Sequence, residues 1–205
     1  MFGNPGLNEF GFPEFKIGQL ANSINYGTSK PATENGSIPY LRMGNMTDDG
    51  HLVFDDLKYI HLPESEFAKV AVTDGDFLFN RTNSRQHVGR SAVYHGKSPS
   101  VIAGYIIRVR LKQDLVLPDY LSLYMNTPFM KKTLFNMAKG AVNQANINAQ
   151  EMSSISIPLL PLVQQKQYLD FLGSIDKLKF NLQQAIDRAK KLSAKILNDA
   201  LSAEE

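Results

Sequence analysis

The stretch Asn80-Arg81-Thr82-Asn83-Ser84-Arg85-Gln86-His87, with Gly89-Arg90 after it, concentrates side chains that can read nucleic-acid bases. An Arg guanidinium bridges O6 and N7 of guanine, Asn and Gln carboxamides pair with N6 and N7 of adenine, and Ser and Thr hydroxyls bond base edges or phosphates. The same composition also suits a solvated hairpin loop that needs no ligand. A second cluster, Lys139-Gly140-Ala141-Val142-Asn143-Gln144-Ala145-Asn146, places three amides among the four residues from Asn143 to Asn146 beside a cation. Amides so placed are either caps and turns or base readers. A third cluster, Tyr26-Gly27-Thr28-Ser29-Lys30, offers two hydroxyls, an ammonium and a glycine that permits close approach. That chemistry suits phosphate oxygens, although the spacing is far from that of a phosphate-binding loop.

Enzyme chemistry has less to work with. His51, His61, His87 and His95 lack metal-ligand spacing, and no cysteine exists to complete a zinc site or act as a nucleophile. Asp74 and Asp76 flank Gly75 and form a carboxylate pair on paper, but at a strand entry they are better placed to fix a loop. A small hydrolase using Asp74, Asp76 and His87 is the remaining enzymatic alternative. The chain contains no Gly-x-Ser-x-Gly, dinucleotide fingerprint or methyltransferase-type glycine loop, so the residues read as a binding module.

The elements that must position these clusters follow from the 205-residue chain, 43% hydrophobic and 20% charged, which is long enough for one domain with a core plus an appended element. No run of about eighteen apolar residues and no basic start followed by an apolar segment supports a membrane span or a signal peptide. The absence of cysteine fits a cytoplasmic protein. Net charge is only +2, but residues 45–76 carry eight acidic and two basic side chains whereas 77–113 carry seven basic and none acidic. That asymmetry predicts an anion-facing surface on the second segment.

Residues 1–13 read as an irregular lead-in, Phe15 to Ser23 as a short amphipathic helix, and Asn25 to Gly36 as a polar loop. Short β-like runs follow at Pro39 to Met43, Leu52 to Phe54, Tyr59 to His61, Asp76 to Asn80, Ser91 to Tyr94 and Tyr105 to Arg110. Helices are expected over Pro118 to Asn126 and Pro128 to Ala138. Asn148 and Glu151 have capping-box spacing, Ile155 to Pro158 reads as a strand, and Pro161 launches a long helix. The class is α+β: a small twisted sheet or partial barrel with flanking helices over residues 1–158, then a long coiled-coil helix over 159–205.

That helix carries a seam of period 3.5. With Tyr168 at position a, the a and d residues are Tyr168, Phe171, Ile175, Leu178, Leu182, Ala185, Ala189, Leu192, Ile196, Asp199 and Ala203, and all but Asp199 are apolar. Leu172, Ile186 and Ala200 widen the stripe at e. Ile175, Leu178, Leu182, Ile186, Leu192 and Ile196 are therefore the expected dimerisation residues.

The order of features resembles the specificity subunit of type I restriction-modification systems: one target-recognition domain followed by one of that family's helical spacers. The resemblance is carried by Ile38-Pro39-Tyr40-Leu41-Arg42-Met43-Gly44-Asn45-Met46, Asp74-Gly75-Asp76-Phe77-Leu78-Phe79-Asn80-Arg81-Thr82, Val88-Gly89-Arg90-Ser91-Ala92, and Gly140-Ala141-Val142-Asn143-Gln144-Ala145-Asn146-Ile147 running into Ile155-Ser156-Ile157-Pro158. The family's Pro-Pro-Leu-x-Glu-Gln junction reads Leu160-Pro161-Leu162-Val163-Gln164-Gln165 here, a departure at the first Pro and at the Glu position.

The resemblance implies a non-catalytic subunit that reads one half of a bipartite double-stranded DNA sequence and docks an adenine methyltransferase subunit. S-adenosylmethionine would belong to that partner and no cofactor to this chain. A restriction or translocase subunit is a further partner, a homodimer through the C-terminal helix is expected, and no membrane is involved. Longer members hold two recognition domains and two helices. Met1-Phe2-Gly3-Asn4-Pro5-Gly6 resembles the junction after their first helix, so the chain reads as a natural half subunit or the second half of a divided one, with the former favoured. On this reading Arg81, Asn83, Arg85, Gln86, Asn143 and Gln144 read bases, and Thr28, Lys30, Arg42, Arg90 and Lys139 hold the backbone. The alternative is a coiled-coil adaptor whose basic head binds protein without sequence-specific DNA binding.

Overall fold

The computed structural model describes residues 8–83, 87–138 and 145–202, with the backbone alone for Asn83 and for 197–202. The chain opens with β1 (Glu14–Lys16), the single-turn α1 (Ile17–Leu20) and β2 (Ala21–Tyr26), then β3 (Ile38–Leu41), a short 3-10 turn (Met43–Asn45) and β4 (Lys58–Ile60). Next come α2 (Glu64–Val70), β5 (Ala71–Val72), β6 (Phe77–Asn80), β7 (Thr82–Asn83), β8 (Ser91–Val93), β9 (Ser100–Ile102) and β10 (Ile106–Leu111). The remainder is α3 (Pro118–Met125), α4 (Pro128–Met137), β11 (Ala145–Asn146), α5 (Ala149–Ser153), β12 (Ser156–Pro158) and α6 (Leu162–Ser202). This is the mixed α+β architecture with open sheets and a long C-terminal helix that the sequence predicts. None of the described helices is long and apolar enough to cross a membrane.

Two four-stranded sheets form the body. One runs β2-β10-β6-β8 and is antiparallel throughout; the other runs β4-β3-β9-β5, with β3 and β9 parallel. Leu78, Ala92 and Ile106 of the first sheet and Leu41, Val72 and Ile102 of the second meet in one apolar cluster with Met46 and Tyr94. The next residues along β3 and β9, Tyr40 and Val101, point the other way into a second cluster, where Phe67 and Val70 of α2 cover them. This is the two-residue alternation of a strand. All of Phe77 to Asn80 is buried, which explains the uninterrupted apolar run before Asn80.

Arg108 of β10 is a cation inside this body, 3% exposed. Its Nη2 donates to Asn25 Oδ1 (3.1 Å) and the Lys69 carbonyl (3.3 Å), and its Nη1 donates to the Ala71 carbonyl. The guanidinium therefore ties β2 and β10 to the end of α2 and β5. Burial holds its pKa below the ordinary Arg value, helped by the nearby Arg110 charge and opposed by Asp76.

Helix boundaries follow local chemistry. α3 and α4 start with proline at the first helical position, and the Thr127 hydroxyl oxygen accepts from the Met130 amide at 3.3 Å. At α5 the expected box closes: Asn148 Oδ1 accepts from the Glu151 amide (2.9 Å) and Glu151 Oε2 from the Asn148 amide (3.0 Å).

Some expectations are corrected. Phe15 to Ser23 is not one helix: Phe15 pairs with Ile157 and Ser23 with Arg110, leaving only Ile17–Leu20 helical, with Ile17 and Leu20 fully buried. Strand pairing overrides the local apolar period there. Leu52 to Phe54 is no strand, because Leu52 makes only an isolated bridge to Met46, and Phe54 turns its ring edge-on to Tyr94. Asn25 and Tyr26 belong to β2 rather than the loop. The helix α2 and the strands β5 and β9 were not expected, although Pro63 followed by Glu64 and Glu66 is a helix-start pattern.

The chain divides into two compact units, Met1–Gln165 and Lys166–Glu205. At the end of the first, Gln165 is fully buried: Oε1 accepts from the Leu117 amide (2.9 Å), and Nε2 donates to the carbonyls of Leu115 (3.0 Å) and Leu160 (2.7 Å). In the second unit, Leu178, Leu182, Leu192 and Ile196 of α6 are 60–67% exposed, Ile186 is exposed and Ile175 partly so. Phe180, at heptad position f and outside the seam, is exposed as well.

Candidate nucleic-acid interface

The β6–β8 hairpin presents the first polar cluster. Asn80, at the end of β6 and 0% exposed, closes its base: the amide donates to the Arg90 carbonyl (2.8 Å), the carbonyl accepts from the Gly89 amide (2.7 Å), and Nδ2 donates to the His87 carbonyl (2.8 Å). Gly89 takes φ +83°, and a Cβ there would lie 2.5 Å from Leu134 Cδ1, so the turn requires glycine.

Beyond Asn80 the chain enters β7, which pairs antiparallel with β11: Thr82 faces Asn146 and Asn83 faces Ala145. The Ile147 amide extends the pairing by donating to the Arg81 carbonyl at 2.9 Å. The backbone flanks of the first and second clusters are thereby held side by side. Arg85, Gln86, Lys139, Asn143 and Gln144 lie outside the described residues.

The third cluster arrives from β2. Tyr26 is the last residue of that strand, and its ring lies under the Arg81 guanidinium, 5.0 Å from centroid to Cζ. The Tyr26 hydroxyl oxygen accepts from the amide of Ala149, the first residue of α5, at 2.9 Å. Gly27 follows because the chain runs against β9: a Cβ there would sit 2.1 Å from the Ile102 carbonyl oxygen. The described ends of the three clusters, Arg81 to Asn83, Ala145 to Asn146 and Tyr26, thus meet around Arg81, β7 and β11.

The residues assigned to phosphate contact have protein partners. Lys30 Nζ lies 2.6 Å from Glu66, Arg42 Nη2 3.1 Å from Asp56, and Arg90 Nε 2.6 Å from Asp48. The hydrogen bond from Arg90 is the main cause holding the Asp48 carboxyl below its ordinary pKa. Thr28 acts within its own turn, its Oγ1 accepting from the Lys30 amide at 3.2 Å. The acidic block of residues 45–76 therefore faces cations elsewhere in the fold. Within 77–113, Arg90 and Arg110 pair with Asp48 and Asp76, and Arg108 is buried. Pairs whose carboxylate is exposed, as Glu66, Asp56 and Asp48 are, stabilise by only about 0–1 kcal/mol, so a phosphate can compete for Lys30, Arg42 and Arg90.

Arg81 differs. Among the described residues it has no carboxylate partner; its Nη1 reaches the Gly104 carbonyl only at 3.5 Å, and its buried Nε has no acceptor. Among the described residues its Nη2 has no hydrogen-bond acceptor.

The residues of the hydrolase alternative do not meet. Asp76 is buried, bonded to the Thr73 amide (2.9 Å) and Arg110, before β6, whereas His87 lies in the turn beyond its other end. Asp74 instead contacts His95 Nδ1 at 2.9 Å, and Asp119 contacts Nε2 at 2.9 Å. Burial alone would lower the His95 pKa, but the hydrogen bonds and charges of the two carboxylates outweigh it and raise the value. The Asp74–His95–Asp119 cluster, Gln165 and the platform role of Tyr26 escaped the sequence reading. Tyr26 belongs to the third cluster, but nothing local ties it to Arg81.

The chain belongs to the family described as the type I restriction modification DNA specificity domain, which matches residues 11–189. It is 32% identical over 170 residues to the putative type I restriction enzyme MjaX specificity subunit of Methanocaldococcus jannaschii, covering 80% of this chain and 40% of that protein. It is 24% identical over 201 residues to the type I restriction enzyme EcoKI specificity subunit of Escherichia coli, covering 94% and 43%. The chain thus spans about two fifths of the length of these relatives. Its fold is similar to the HsdS subunit from Thermoanaerobacter tengcongensis, with TM-score 0.58, 20% identity and coverage of 85% and 40%. A chain from a structure concerned with complex assembly and conformational transition of the type I R-M system matches with TM-score 0.60 at 20% identity, covering 85% of this chain and 40% of that one.

Proposed function

We propose that this chain chooses the DNA sequence for a type I restriction-modification methyltransferase. Its first unit reads one half of a bipartite double-stranded target, and the chemistry belongs to an adenine methyltransferase subunit that carries S-adenosylmethionine. A restriction or translocase subunit is a further partner, and the location is cytoplasmic. The observation that carries this reading is the convergence of the described ends of three base- and phosphate-compatible clusters on β7, β11 and the Tyr26–Arg81 stack. Arg81, Asn83, Arg85, Gln86, Asn143 and Gln144 contact bases; Thr28, Lys30, Arg42, Arg90 and Lys139 hold the backbone, with Lys30, Arg42 and Arg90 exchanging carboxylates for phosphates.

Two copies pair their α6 helices antiparallel through Ile175, Leu178, Leu182, Ile186, Leu192 and Ile196. The exposure of that stripe supports the pairing. The 41 residues of α6 span about 60 Å, against about 34 Å per turn of DNA, so the helix can act as a ruler between half-sites.

The test is selection from a random DNA library by the full chain purified with its methyltransferase subunit. An enriched bipartite inverted repeat, with a shorter spacer after deletion of residues 176–182, is the expected result. An unchanged spacer would overturn the ruler. No enriched motif, with binding explained by charge alone, would favour the adaptor reading.

A further inference from the structure

Arg81 differs from the other cations assigned to DNA in how it is held. Lys30, Arg42 and Arg90 sit against carboxylates, which a phosphate can replace. Arg81 sits on an aromatic face, 5.0 Å from the Tyr26 ring centroid, and has no carboxylate among the described residues. A π face attracts the cation without occupying its N–H donors, so it orients a guanidinium while leaving its edge available. Base reading needs this combination, because a bidentate contact to O6 and N7 of guanine requires two donors held in one plane.

The platform is itself fixed at both ends. The Tyr26 backbone is in register with Ile107 in the β2–β10 ladder, and its hydroxyl accepts from the Ala149 amide at 2.9 Å. Arg81 is fixed by its backbone: its amide donates to the Tyr105 carbonyl at 2.9 Å, and its carbonyl accepts from the Ile147 amide at 2.9 Å. Only the side-chain torsions remain, and the ring restricts those. Tyr26 is nevertheless 43% exposed, far more than a residue serving only the core requires.

We infer that Tyr26 is a specificity-determining positioning residue, its ring holding the Arg81 guanidinium in the orientation that reads a guanine in the target half-site. The inference rests on the DNA-recognition reading and adds to it a residue that makes no base contact of its own. Removing the ring frees Arg81 to bond phosphates and any base, so discrimination falls at the position Arg81 reads while overall attraction to DNA persists.

The experiment measures binding of the full chain, with its methyltransferase subunit, to the selected target and to every single-base variant of one half-site. Tyr26→Leu is expected to lose roughly tenfold discrimination at one base pair, the same one relaxed by Arg81→Ala, with little change on unrelated DNA. Tyr26→Phe keeps the ring but loses the bond from the Ala149 amide, and retains most of the preference. Adding Tyr26→Leu to Arg81→Ala costs nothing further at that position. Tyr59→Leu, which removes an equally exposed aromatic from β4, leaves the profile intact. Should Tyr26→Leu not fold, Tyr26→Gln makes the same comparison. An unchanged profile, an equal loss on all sequences, or a Phe variant as relaxed as Leu would overturn the inference. If the unsubstituted complex selects no sequence, the function reading fails first and this inference with it.

Discussion

Asn146 stands opposite Thr82 across the two-residue β7–β11 pair, at the point where two polar segments widely separated in sequence come alongside each other. The pair is too short to contribute much stability by itself, and its consequence is geometric. It holds the flanks of both candidate recognition segments together, next to Arg81 and the end of β2. A reader assembled from several segments can change one base preference by changing one side chain, without rebuilding the sheets beneath.

Arg90 is held by Asp48, and that pairing competes with phosphate. Asp48→Asn removes the competing charge while keeping a side chain of the same shape. Affinity for all DNA sequences is expected to rise a few-fold with a steeper salt dependence, as fluorescence anisotropy across a salt series would show. A rise confined to one sequence, or no rise, would remove Arg90 from the backbone-contact set.

Gln165 and Gln164 are neighbours in sequence with opposite prospects. Gln165 satisfies one amide and two carbonyls in a fully buried position, whereas Gln164 is exposed. Gln165→Leu is expected to lower the stability of the first unit by about 3 kcal/mol, because those backbone groups lose their partners. Gln164→Ala should change it by less than about 0.5 kcal/mol. Urea unfolding monitored by tyrosine fluorescence would check both, and equal effects would contradict the assignment.

His95 lies between Asp74 and Asp119, and its pKa is raised above the ordinary 6.5. Its protonated form is therefore favoured in the folded state. The resulting stabilisation is fully present below pH 6.5 and declines as the pH rises through the higher folded value. The stability difference between the unsubstituted chain and His95→Gln should shrink over that interval. A difference that grew with pH would show that the carboxylates do not hold the charged imidazole.

Elements with strong local signals were legible in the sequence. Pro118 and Pro128 mark their helix starts, Asn148 and Glu151 close their box, and the Phe77 to Asn80 run is a strand buried on both faces. What failed depended on distant partners. Ile17 and Leu20 look like one face of a helix longer than the single turn they form, and only pairing with β12 and β10 makes the flanking residues strands. The basic character of 77–113 was visible, but not that Arg90, Arg108 and Arg110 have partners supplied by other segments. The site was legible as three separate clusters. The meeting of their described ends at Arg81 was not, because it depends on the β2–β10 register and on the β7–β11 pair.

The most direct test of sequence choice by this chain is a genome-wide map of methylated adenines in cells that express it with its methyltransferase subunit, compared with cells lacking only this chain. The account predicts a bipartite inverted-repeat motif that disappears with the chain. A methyltransferase that is expressed and active yet leaves the same methylation pattern in both strains would contradict it.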